Sequence, residues 1–383
     1  MNLKTQNESI RINNSIKVLD LLFNKEMSRI ELAYQTGLTK TTIGEIVRDF
    51  LEIGFIEEVK SNPNGIGRPS ITLKFVKNFA HVIGIGIMRD GVNGSLIDCE
   101  GTEIYSVNSP FKEEIPQINM VYQVIDELMR KARLTNRKVE VISFGVPGPL
   151  DTEKGVIKEP PKLHEFVNFP LIEKIKEKYD VFACLENDAD MGAMGEKYYG
   201  KGKDLDSFIY ILYDKGIGAG IIINNQLYHG VNGYAGEIGQ TIILKNNEMK
   251  YFEDEYGLDM VIKKIENKLL KSVTDIKNLQ LSTKDEQNNF LEIMEDVAKH
   301  FSIIVLSLIH YFGISNIFIG GKGKYFGERF IKSLNSITYN YLIHKQPINI
   351  SYSNLEDSVV ALGAAKFGLY RYLKGKIKDK NNF

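Results

Sequence analysis

The sequence predicts an α/β protein that carries a winged helix-turn-helix at its N-terminus. Two observations lead to this prediction. Residues 28–54 contain two short helical patterns around a glycine, and residues 55–75 add one hairpin. From His81 onward, strand patterns that end in glycine turns alternate with helical patterns, which is the order typical of α/β proteins. In such folds, ligand-binding groups lie at the carboxyl ends of the strands.

The helix-turn-helix is predicted from capping and spacing. Ser28 and Glu31 form a capping-box pattern, which indicates the start of a short helix. Gly37 ends that helix, and a second helix follows with one continuous apolar face: Ile43, Ile46, Val47, Phe50 and Leu51. The N-terminal end of the second helix enters the major groove in this motif. The candidate DNA contacts there are Thr39, Lys40, Thr41 and Thr42. A plain pair of packed helices is the alternative interpretation of the same spacing.

A predicted hairpin after the second helix completes a winged helix. Its turn-rich loop carries Gly67, Arg68 and Pro69, an extended segment that suits insertion of Arg68 into a narrow minor groove. Acidic residues nearly match basic residues up to Phe75, so there is no strong basic footprint. We therefore expect binding to double-stranded operator DNA to require a homodimer or homotetramer. The phosphate contacts made at two half-sites then add up to sufficient affinity.

Composition limits the class of protein. The chain has 383 residues, 43% hydrophobic and 25% charged, with a net charge of −1, which suits a folded protein of two or three domains. Cys99 and Cys184 are too few for a disulfide framework, and no CxxC motif is present. The N-terminus is polar, and the longest apolar run, residues 301–312, is too short to span a bilayer. We expect a cytoplasmic protein without a membrane partner.

The remaining elements are predicted in chain order. Residues 15–23 form a first helix that supports the helix-turn-helix, and residues 77–81 form a short joint. Residues 284–286 are predicted to be a solvated loop, and the last ten residues a frayed tail. The elements after the joint are strands within 81–111, helix 121–132, strand 139–146, helix 170–179, strand 181–185, helix 189–199, strands 208–213 and 220–223, helices 258–270 and 290–312, strand 316–319 and helix 359–372.

Three stretches carry possible chemistry. Asn187 and Asp188 follow a strand, where an aspartate can accept a proton from a hydroxyl or hold that hydroxyl. Glycines at positions 216, 218 and 220 could form a turn that cradles phosphate, although a hairpin is the more common explanation. Residues 233–240 place a Glu and a Gln between glycines, which fits either a polyhydroxylated ligand or a solvated turn.

These stretches, with four others, resemble one family over nearly the whole chain. The matching segments are GVPGPLD (145–151), PPKLHEFVNFPL (160–171), LENDADMGAMGE (185–196), GIGAGIIINNQLYHGVNGYAGEIG (216–239), NIFIGG (316–321) and EDSVVALGAA (356–365). In order and spacing the chain resembles the ROK family (repressors, open reading frames and sugar kinases), in its repressor branch with an N-terminal winged helix-turn-helix. The resemblance implies an actin-like (ribonuclease H-like) domain of two α/β lobes with sugar in the cleft.

The resemblance also implies domain boundaries and site residues. The winged helix-turn-helix would cover residues 1–76 and the ROK domain residues 82–383. The lobes would cover about 82–190 with the C-terminal helix, and about 191–355. By position, Asn187 matches the family's sugar-binding Asn, Asp188 its catalytic Asp and Glu237 a sugar-binding Glu. Glu253 matches a further sugar-contacting Glu by a looser alignment, and Gln240 completes the predicted ligand set.

The departures from the family pattern concern the phosphate loops. Gly86 stands where the first loop has an Asp, and Met88 where it has a Gly. Asp214 and Lys215 stand where the kinases have Gly-Thr before Gly-x-Gly. These changes remove the aspartate that would contact a magnesium-bound nucleotide, and they add negative charge where the phosphates would lie. Asp188 is then a vestigial base, since a base without a phosphoryl donor transfers nothing. We expect no kinase activity and neither ATP nor magnesium as a cofactor.

A second set of departures concerns metal. Gln240 replaces a family His, and the segment that carries zinc-binding cysteines in the family, residues 245–257 here, contains no Cys. Since a structural zinc site needs about four N or S ligands, we predict no zinc, with this segment held by packing of Tyr251, Phe252 and Tyr256. His164, His229 and His310 are interpreted as isolated residues.

The sequence therefore predicts a sugar-responsive transcriptional repressor of carbohydrate-utilisation genes. A monosaccharide or derivative in the interlobe cleft would be its effector. Two alternatives stay open. One is a ROK sugar kinase with an appended DNA-binding domain and Asp188 as base. The other is a repressor with a vestigial cleft that responds to a protein partner.

Overall fold

Three helices and one hairpin form an N-terminal winged helix. The structure, a computed structural model, describes residues 3–61, 70–160, 163–231 and 233–381. The capping box between Ser28 and Glu31 is present, and Gly37 ends the second helix with a φ of 69°. The elements are α1 (Leu3–Asn24), α2 (Arg29–Thr36), α3 (Lys40–Ile53) and the antiparallel strands β1 (Ile56–Ser61) and β2 (Ser70–Phe75). Helix α1 begins well before the predicted residue 15. The prediction missed this first half because it is polar and shows no apolar periodicity.

The first lobe is built on a five-stranded sheet of order β5-β4-β3-β6-β9. Strands β3, β6 and β9 run parallel, so their carboxyl ends meet at one edge. Helices α4 and α5 cover one face of the sheet with apolar side chains. The elements are β3 (His81–Met88), β4 (Gly91–Ile97), β5 (Glu103–Pro110), α4 (Gln117–Leu134), β6 (Val139–Val146), β7 (Leu150–Asp151), β8 (Val156–Ile157), α5 (Leu171–Tyr179) and β9 (Phe182–Asn187).

The second lobe repeats this plan with a sheet of order β12-β11-β10-β15-β16. Its elements are α6 (Asp188–Tyr199), β10 (Phe208–Tyr213), β11 (Ile217–Ile223), β12 (Gln226–Leu227), β13 (Ile242–Lys245), β14 (Glu248–Tyr251), α7 (Phe252–Tyr256), α8 (Leu258–Leu269), α9 (Lys284–Phe312), β15 (Asn316–Gly320), α10 (Gly327–Tyr341) and β16 (Asn349–Tyr352). The predicted loop at 284–286 is wrong. These residues form the first turn of α9, which a capping box of Thr283 and Glu286 begins.

Two helices pack against each other between the lobes. Helix α11 (Val359–Asn381) crosses α6 so closely that a Cβ added at Gly363 would lie 1.8 Å from the Met191 carbonyl oxygen. A Cβ at Gly195 would lie 2.2 Å from the Val359 carbonyl oxygen. Only glycine allows such an approach of two backbones. This crossing places the first turn of α6 at the junction of the lobes.

Helix α11 also joins the two lobes to the winged helix. Its Leu369, Leu373 and Ile377 share one apolar core with α1 and α3. The Tyr370 hydroxyl donates to Asp20 at 2.6 Å, and Lys380 lies 3.0 Å from Glu52 at the end of α3. The predicted frayed tail is therefore wrong, because these contacts keep the last residues helical through Asn381. None of the helices in the described part of the chain is both long and apolar enough to cross a membrane.

Candidate functional site

A cavity of about 350 Å³ lies between the lobes, at the carboxyl ends of β3, β6 and β9. We call it the inner cavity. Residues 147–149 of the first lobe line it, together with residues 216–219 and 234–237 of the second lobe. All of the ligand residues predicted from sequence line it: Asn187, Asp188, Glu237, Gln240 and Glu253. The fold thus brings together residues that are distant in the chain.

Asn187 and Asp188 are held at the start of α6. The Asn187 side-chain oxygen caps the helix by accepting from the backbone N–H of Ala189 at 2.9 Å and of Asp190 at 3.3 Å. Its amide nitrogen thereby faces away from the helix end as a donor. Asp188 accepts from the Ala189 N–H at 2.9 Å. Burial raises the pKa of Asp188 to about 7, although the nearby positive charge of Arg89 opposes the shift.

Glu237 precedes a short turn, residues 238–240, that lies against β11, and Gln240 is its last residue. Gly236 precedes it with a φ of 88°, and a Cβ there would lie 1.8 Å from the Ala219 carbonyl oxygen. Only glycine therefore lets this loop approach the strand. Both Glu237 and Gln240 are exposed toward the cleft. Burial and then the negative charges of Glu253 and Asp190 raise the pKa of Glu237, while Arg89 lowers it.

Arg89 is a cavity residue that sequence reasoning missed. Its guanidinium lies 3.6 Å from Glu253 and is 13% exposed. The other oxygen of Glu253 accepts from the Ile217 N–H at 2.9 Å. A Cβ at Gly216 would lie 2.3 Å from the Arg89 guanidinium, so the arginine fills the space that this glycine leaves. A single arginine in a turn belongs to no motif. The only signal in the sequence is its position next to Met88, in the segment that departs from the family's first phosphate loop.

The glycines at 216, 218 and 220 form a hairpin, the more common of the two interpretations given above. Strands β10 and β11 pair from Tyr213 and Ile217 outward, with the turn at residues 214–216. Gly218 and Gly220 lie within β11. A Cβ at Gly220 would lie 2.5 Å from the Ala193 side chain of α6. These two glycines therefore serve the packing of α6 on the sheet.

A second cavity, of about 370 Å³, adjoins the first and shares Met88, Leu212 and Asp214 with it. We call it the outer cavity. The Lys322 ammonium lies 2.6 Å from Asp90 and 3.3 Å from Asp275. Asp214 accepts from the Lys322 backbone N–H at 3.3 Å. The positive charge of one lysine therefore lies among three aspartates.

The pKa values of Asp214 and Lys322 depend on their burial and on the neighbouring charges. Burial, and then the charge of Asp90, raises the pKa of Asp214 to about 6. Burial alone would lower the pKa of Lys322. The hydrogen bond to Asp90 and the charges of Asp90, Asp214 and Asp275 outweigh it and hold that pKa above its usual range. Lys322 is therefore a permanent cation in the outer cavity.

Gly86, where the family pattern has an aspartate, packs against α11. A Cβ at this position would lie 3.1 Å from the Val360 side chain and 3.4 Å from the Ala361 nitrogen. An aspartate would press its side chain against this helix. The glycine at position 86 therefore leaves room for α11 to pack closely against β3.

Glu186, Asp190 and His229 form the one group in the described ranges that could hold a metal ion, with ligand atoms within 4.8 Å of one another. His229 Nδ1 lies 3.5 Å from Asp190 and 3.9 Å from Glu186. Its hydrogen bond to Asp190 raises the pKa of His229. The interpretation of His229 as an isolated residue is therefore wrong.

The predicted packing of the cysteine-free segment is found for two of its three aromatic residues. Phe252 and Tyr256 are buried and stack with ring centroids 5.2 Å apart. Phe252 also stacks on Phe301 of α9. Tyr251 is 46% exposed and does not belong to this core.

The candidate DNA contacts lie on the first turn of α3, except one. Thr39 caps the helix by accepting from the Thr42 N–H at 3.1 Å, and the two hydroxyls lie 2.9 Å apart. Lys40 and Thr41 are exposed between them. Arg68 lies outside the described residues.

Comparisons with known proteins agree on one family. The family model described as "ROK family" matches residues 82–369. A xylose repressor of Caldicellulosiruptor bescii is 27% identical over 377 residues, which is 92% of this chain and 94% of the relative. A solved ROK family transcriptional regulator, a homologue of the E. coli MLC protein, matches with a TM-score of 0.77 at 19% identity, over 97% of this chain and 99% of that one. A ROK hexokinase from Thermus thermophilus matches with a TM-score of 0.62 at 23% identity, over 77% of this chain and 99% of its own.

Proposed function

The chain belongs to the ROK family, and we propose that it is a sugar-responsive transcriptional repressor whose effector binds in the inner cavity. One observation carries this proposal. The inner cavity gathers the predicted sugar ligands, from Asn187 to Glu253, in the same chain that carries a winged helix. Proteins of this kind that match nearly its whole length are named as repressors or transcriptional regulators.

The polar groups of the inner cavity suit an uncharged sugar. Asp188, Glu237 and Glu253 are acceptors for sugar hydroxyls, and the Asn187 amide and Arg89 guanidinium are donors to sugar oxygens. Four carboxyl groups, these three and Asp214, line the cavity with a single guanidinium, so a phosphate or carboxylate on the ligand would meet net repulsion. We propose a neutral monosaccharide, with D-xylose as the first candidate because a relative is named for it.

The winged helix would bind operator DNA as part of a homodimer or homotetramer. Helix α3 presents Lys40 and Thr41 at its exposed N-terminal turn, which is the end that enters the major groove in helix-turn-helix proteins. Two such helices in a symmetric dimer would contact half-sites about 34–36 Å apart. The operator is therefore proposed to be palindromic.

We propose that the chain has no kinase activity and needs neither ATP, magnesium nor zinc. Support comes from the outer cavity, where Asp90, Asp214 and Asp275 already surround Lys322. Nucleotide phosphates entering this cavity would meet carboxylates and would have to displace an ion pair. Gly86 supplies no carboxylate for a magnesium ion.

The proposal is tested by selecting DNA from a random-sequence library with the full-length protein, and then titrating sugars against the complex. We expect a palindromic site whose affinity changes with D-xylose or another neutral sugar. Glucose and glucose 6-phosphate share the same sugar ring and differ only in the added phosphate group, and we expect glucose 6-phosphate to have no effect. Operator binding that no sugar alters would favour the vestigial-cleft alternative. ATP-dependent phosphorylation of a sugar, abolished by Asp188→Asn, would establish the kinase alternative.

The DNA-binding surface has its own test. Lys40→Ala should weaken binding to all DNA sequences about equally and reduce the slope of log affinity against log salt by about 1 per protomer, because one phosphate contact is lost. Lys332→Ala, on an exposed position of α10, is the control. An unchanged slope would remove Lys40 from the interface.

A further inference from the structure

The turn between β3 and β4 carries two adjacent residues of opposite charge, and both reach across the cleft. Arg89 lies 3.6 Å from Glu253, and Asp90 lies 2.6 Å from Lys322. Arg89 and Asp90 belong to the first lobe. Glu253 lies in the first turn of α7 and Lys322 follows β15, so both partners belong to the second lobe. One turn of the first lobe is thus connected to the second lobe by two ion pairs. The turn supplies the cation in one pair and the anion in the other.

These pairs are sheltered from solvent more than ordinary surface pairs are. The side chains are 13% exposed for Arg89 and 19% for Glu253, and 25% for Lys322 and 34% for Asp90. Partial burial reduces screening by salt, so such pairs hold two surfaces together better than exposed ones. Asp275, 3.3 Å from Lys322 on the same lobe, fixes the lysine in its position.

We propose that Arg89, Asp90, Glu253 and Lys322 form an interlobe clasp that holds the cleft closed and positions Glu253 for the effector. The lobe-closing part of this proposal stands on the ion pairs alone. The effector part rests on the proposed function, because it assumes that a ligand contacts Glu253.

The coupling to the effector follows from the two oxygens of Glu253. Oε2 accepts from the Ile217 N–H at 2.9 Å, and Oε1 faces Arg89. A sugar hydroxyl that reaches Glu253 therefore meets the oxygen that Arg89 also contacts. Arg89 has further N–H donors for the oxygens of the same ligand. The bound sugar thus bridges both lobes at the clasp and favours the closed arrangement by its differential affinity.

Lobe closure can be measured without any ligand. Leu134, 71% exposed on α4, and Lys332, 75% exposed on α10, are replaced by Cys in the full-length protein and spin-labelled. The native Cys99 and Cys184 are buried. We expect a single narrow distance distribution, which broadens toward longer distances when Arg89→Met and Asp90→Asn are combined. An unchanged distribution in this double variant would overturn the clasp.

The matched control is an ion pair of similar burial within one lobe. Lys271 lies 2.9 Å from Glu286, their side chains are 29% and 22% exposed, and both residues belong to the second lobe. Lys271→Met should leave the distance distribution unchanged. Broadening by this variant as well would show a general loosening of the protein and would also overturn the clasp.

The effector arm uses D-xylose binding to the unlabelled protein. Asp90 does not line the inner cavity, yet Asp90→Asn should weaken D-xylose binding about threefold to tenfold, since fewer molecules are closed. Asp90→Glu, which keeps the charge, should recover most of this loss. Unchanged affinity in Asp90→Asn would overturn the coupling. If the wild type binds no D-xylose or other neutral sugar, the proposed function fails, and the distance measurement still decides whether the clasp exists.

Discussion

The inner and outer cavities resemble each other in size but differ in what their charged groups contact. Their volumes are about 350 and 370 Å³, and Met88, Leu212 and Asp214 form a shared wall. Among the described residues, Asp90 and Asp275 of the outer cavity form ion pairs with the Lys322 ammonium, whereas the predicted ligand carboxylates of the inner cavity share one guanidinium, that of Arg89. Shape alone therefore does not make a binding site. Polar groups that are not already neutralised by the protein do, because they remain available to a ligand.

The largest expected effect distinguishes the two cavities directly. Glu237→Gln in the inner cavity should weaken effector binding by about 10-fold to 100-fold, since hydrogen bonds to a charged group contribute about 1.5–3 kcal/mol. Glu356→Gln, at an exposed position of the outer cavity, should change it less than about twofold. Calorimetric titration of the effector measures both. Equal losses in the two variants would mean that the ligand occupies both cavities.

A second test restores, at position 86, the aspartate that the family has in its first phosphate loop. Gly86→Asp should lower the free energy of unfolding by about 1–3 kcal/mol, because the new side chain presses on Val360 and Ala361. It should not create binding of magnesium ATP. Urea unfolding and calorimetry measure these outcomes. Gly375→Asp is the control, since an added Cβ there meets nothing within 4 Å. Tight ATP binding by Gly86→Asp would show that the outer cavity is still a nucleotide site.

Stability should respond to pH through Asp188. Its pKa of about 7 in the folded protein lies above the ordinary 3.8, so the folded state holds the proton longer than the unfolded state does. The half-buried carboxyl group therefore lowers stability progressively as the pH rises from about 4 to 7. Asp188→Asn should raise the free energy of unfolding by about 1–2 kcal/mol at pH 8 and leave it unchanged near pH 3.5. Chemical denaturation at both values checks this.

The matched control for that measurement is Asp254→Asn, which changes an exposed carboxylate in the same lobe. Its stability should follow the wild type at both pH values. An Asp188→Asn variant that is less stable than the wild type at pH 8 would show that the carboxylate has a stabilising partner and is not reserved for a ligand.

The smallest expected effect is the pH dependence of effector binding. Sugar hydroxyls donate to the ionised form of Asp188, so affinity should fall as the pH drops through about 7. The loss between pH 8 and pH 6 should be about fivefold, within the tenfold that one pH unit below the pKa allows. Asp188→Asn should bind weakly with a flat profile. A rise in affinity at low pH would indicate that the protonated carboxyl is the binding form.

The sequence predicted the positions of the inner cavity well because its residues belong to local patterns. Asn187 and Asp188 follow a recognisable strand, and Glu237 lies in a glycine-framed loop. The α/β class and the helix-turn-helix followed from periodicity and capping, which depend on neighbours in the chain. The ligand roles of these residues stay predictions until a sugar is bound.

Arg89 and Lys322 could not be predicted in the same way. Their partners, Glu253 and Asp90, are remote in sequence, and the pairs exist only once the lobes meet. The helical C-terminus was missed for a related reason. Its polar residues resemble a tail, and Ile377 shares an apolar core with residues of the winged helix that are remote in sequence. Long-range contacts override local propensity at these positions.

Helix α11 has a mechanical consequence. Its first residue, Val359, lines the outer cavity, and its Lys380 contacts Glu52 at the end of the recognition helix α3. A helix of 23 residues is about 34 Å long, so a tilt of about 5° at its first turn moves its last turn by about 3 Å. That displacement is close to the ~3.4 Å rise from one base pair to the next. A tilt of this size would therefore shift α3 by nearly one base-pair step relative to bound DNA.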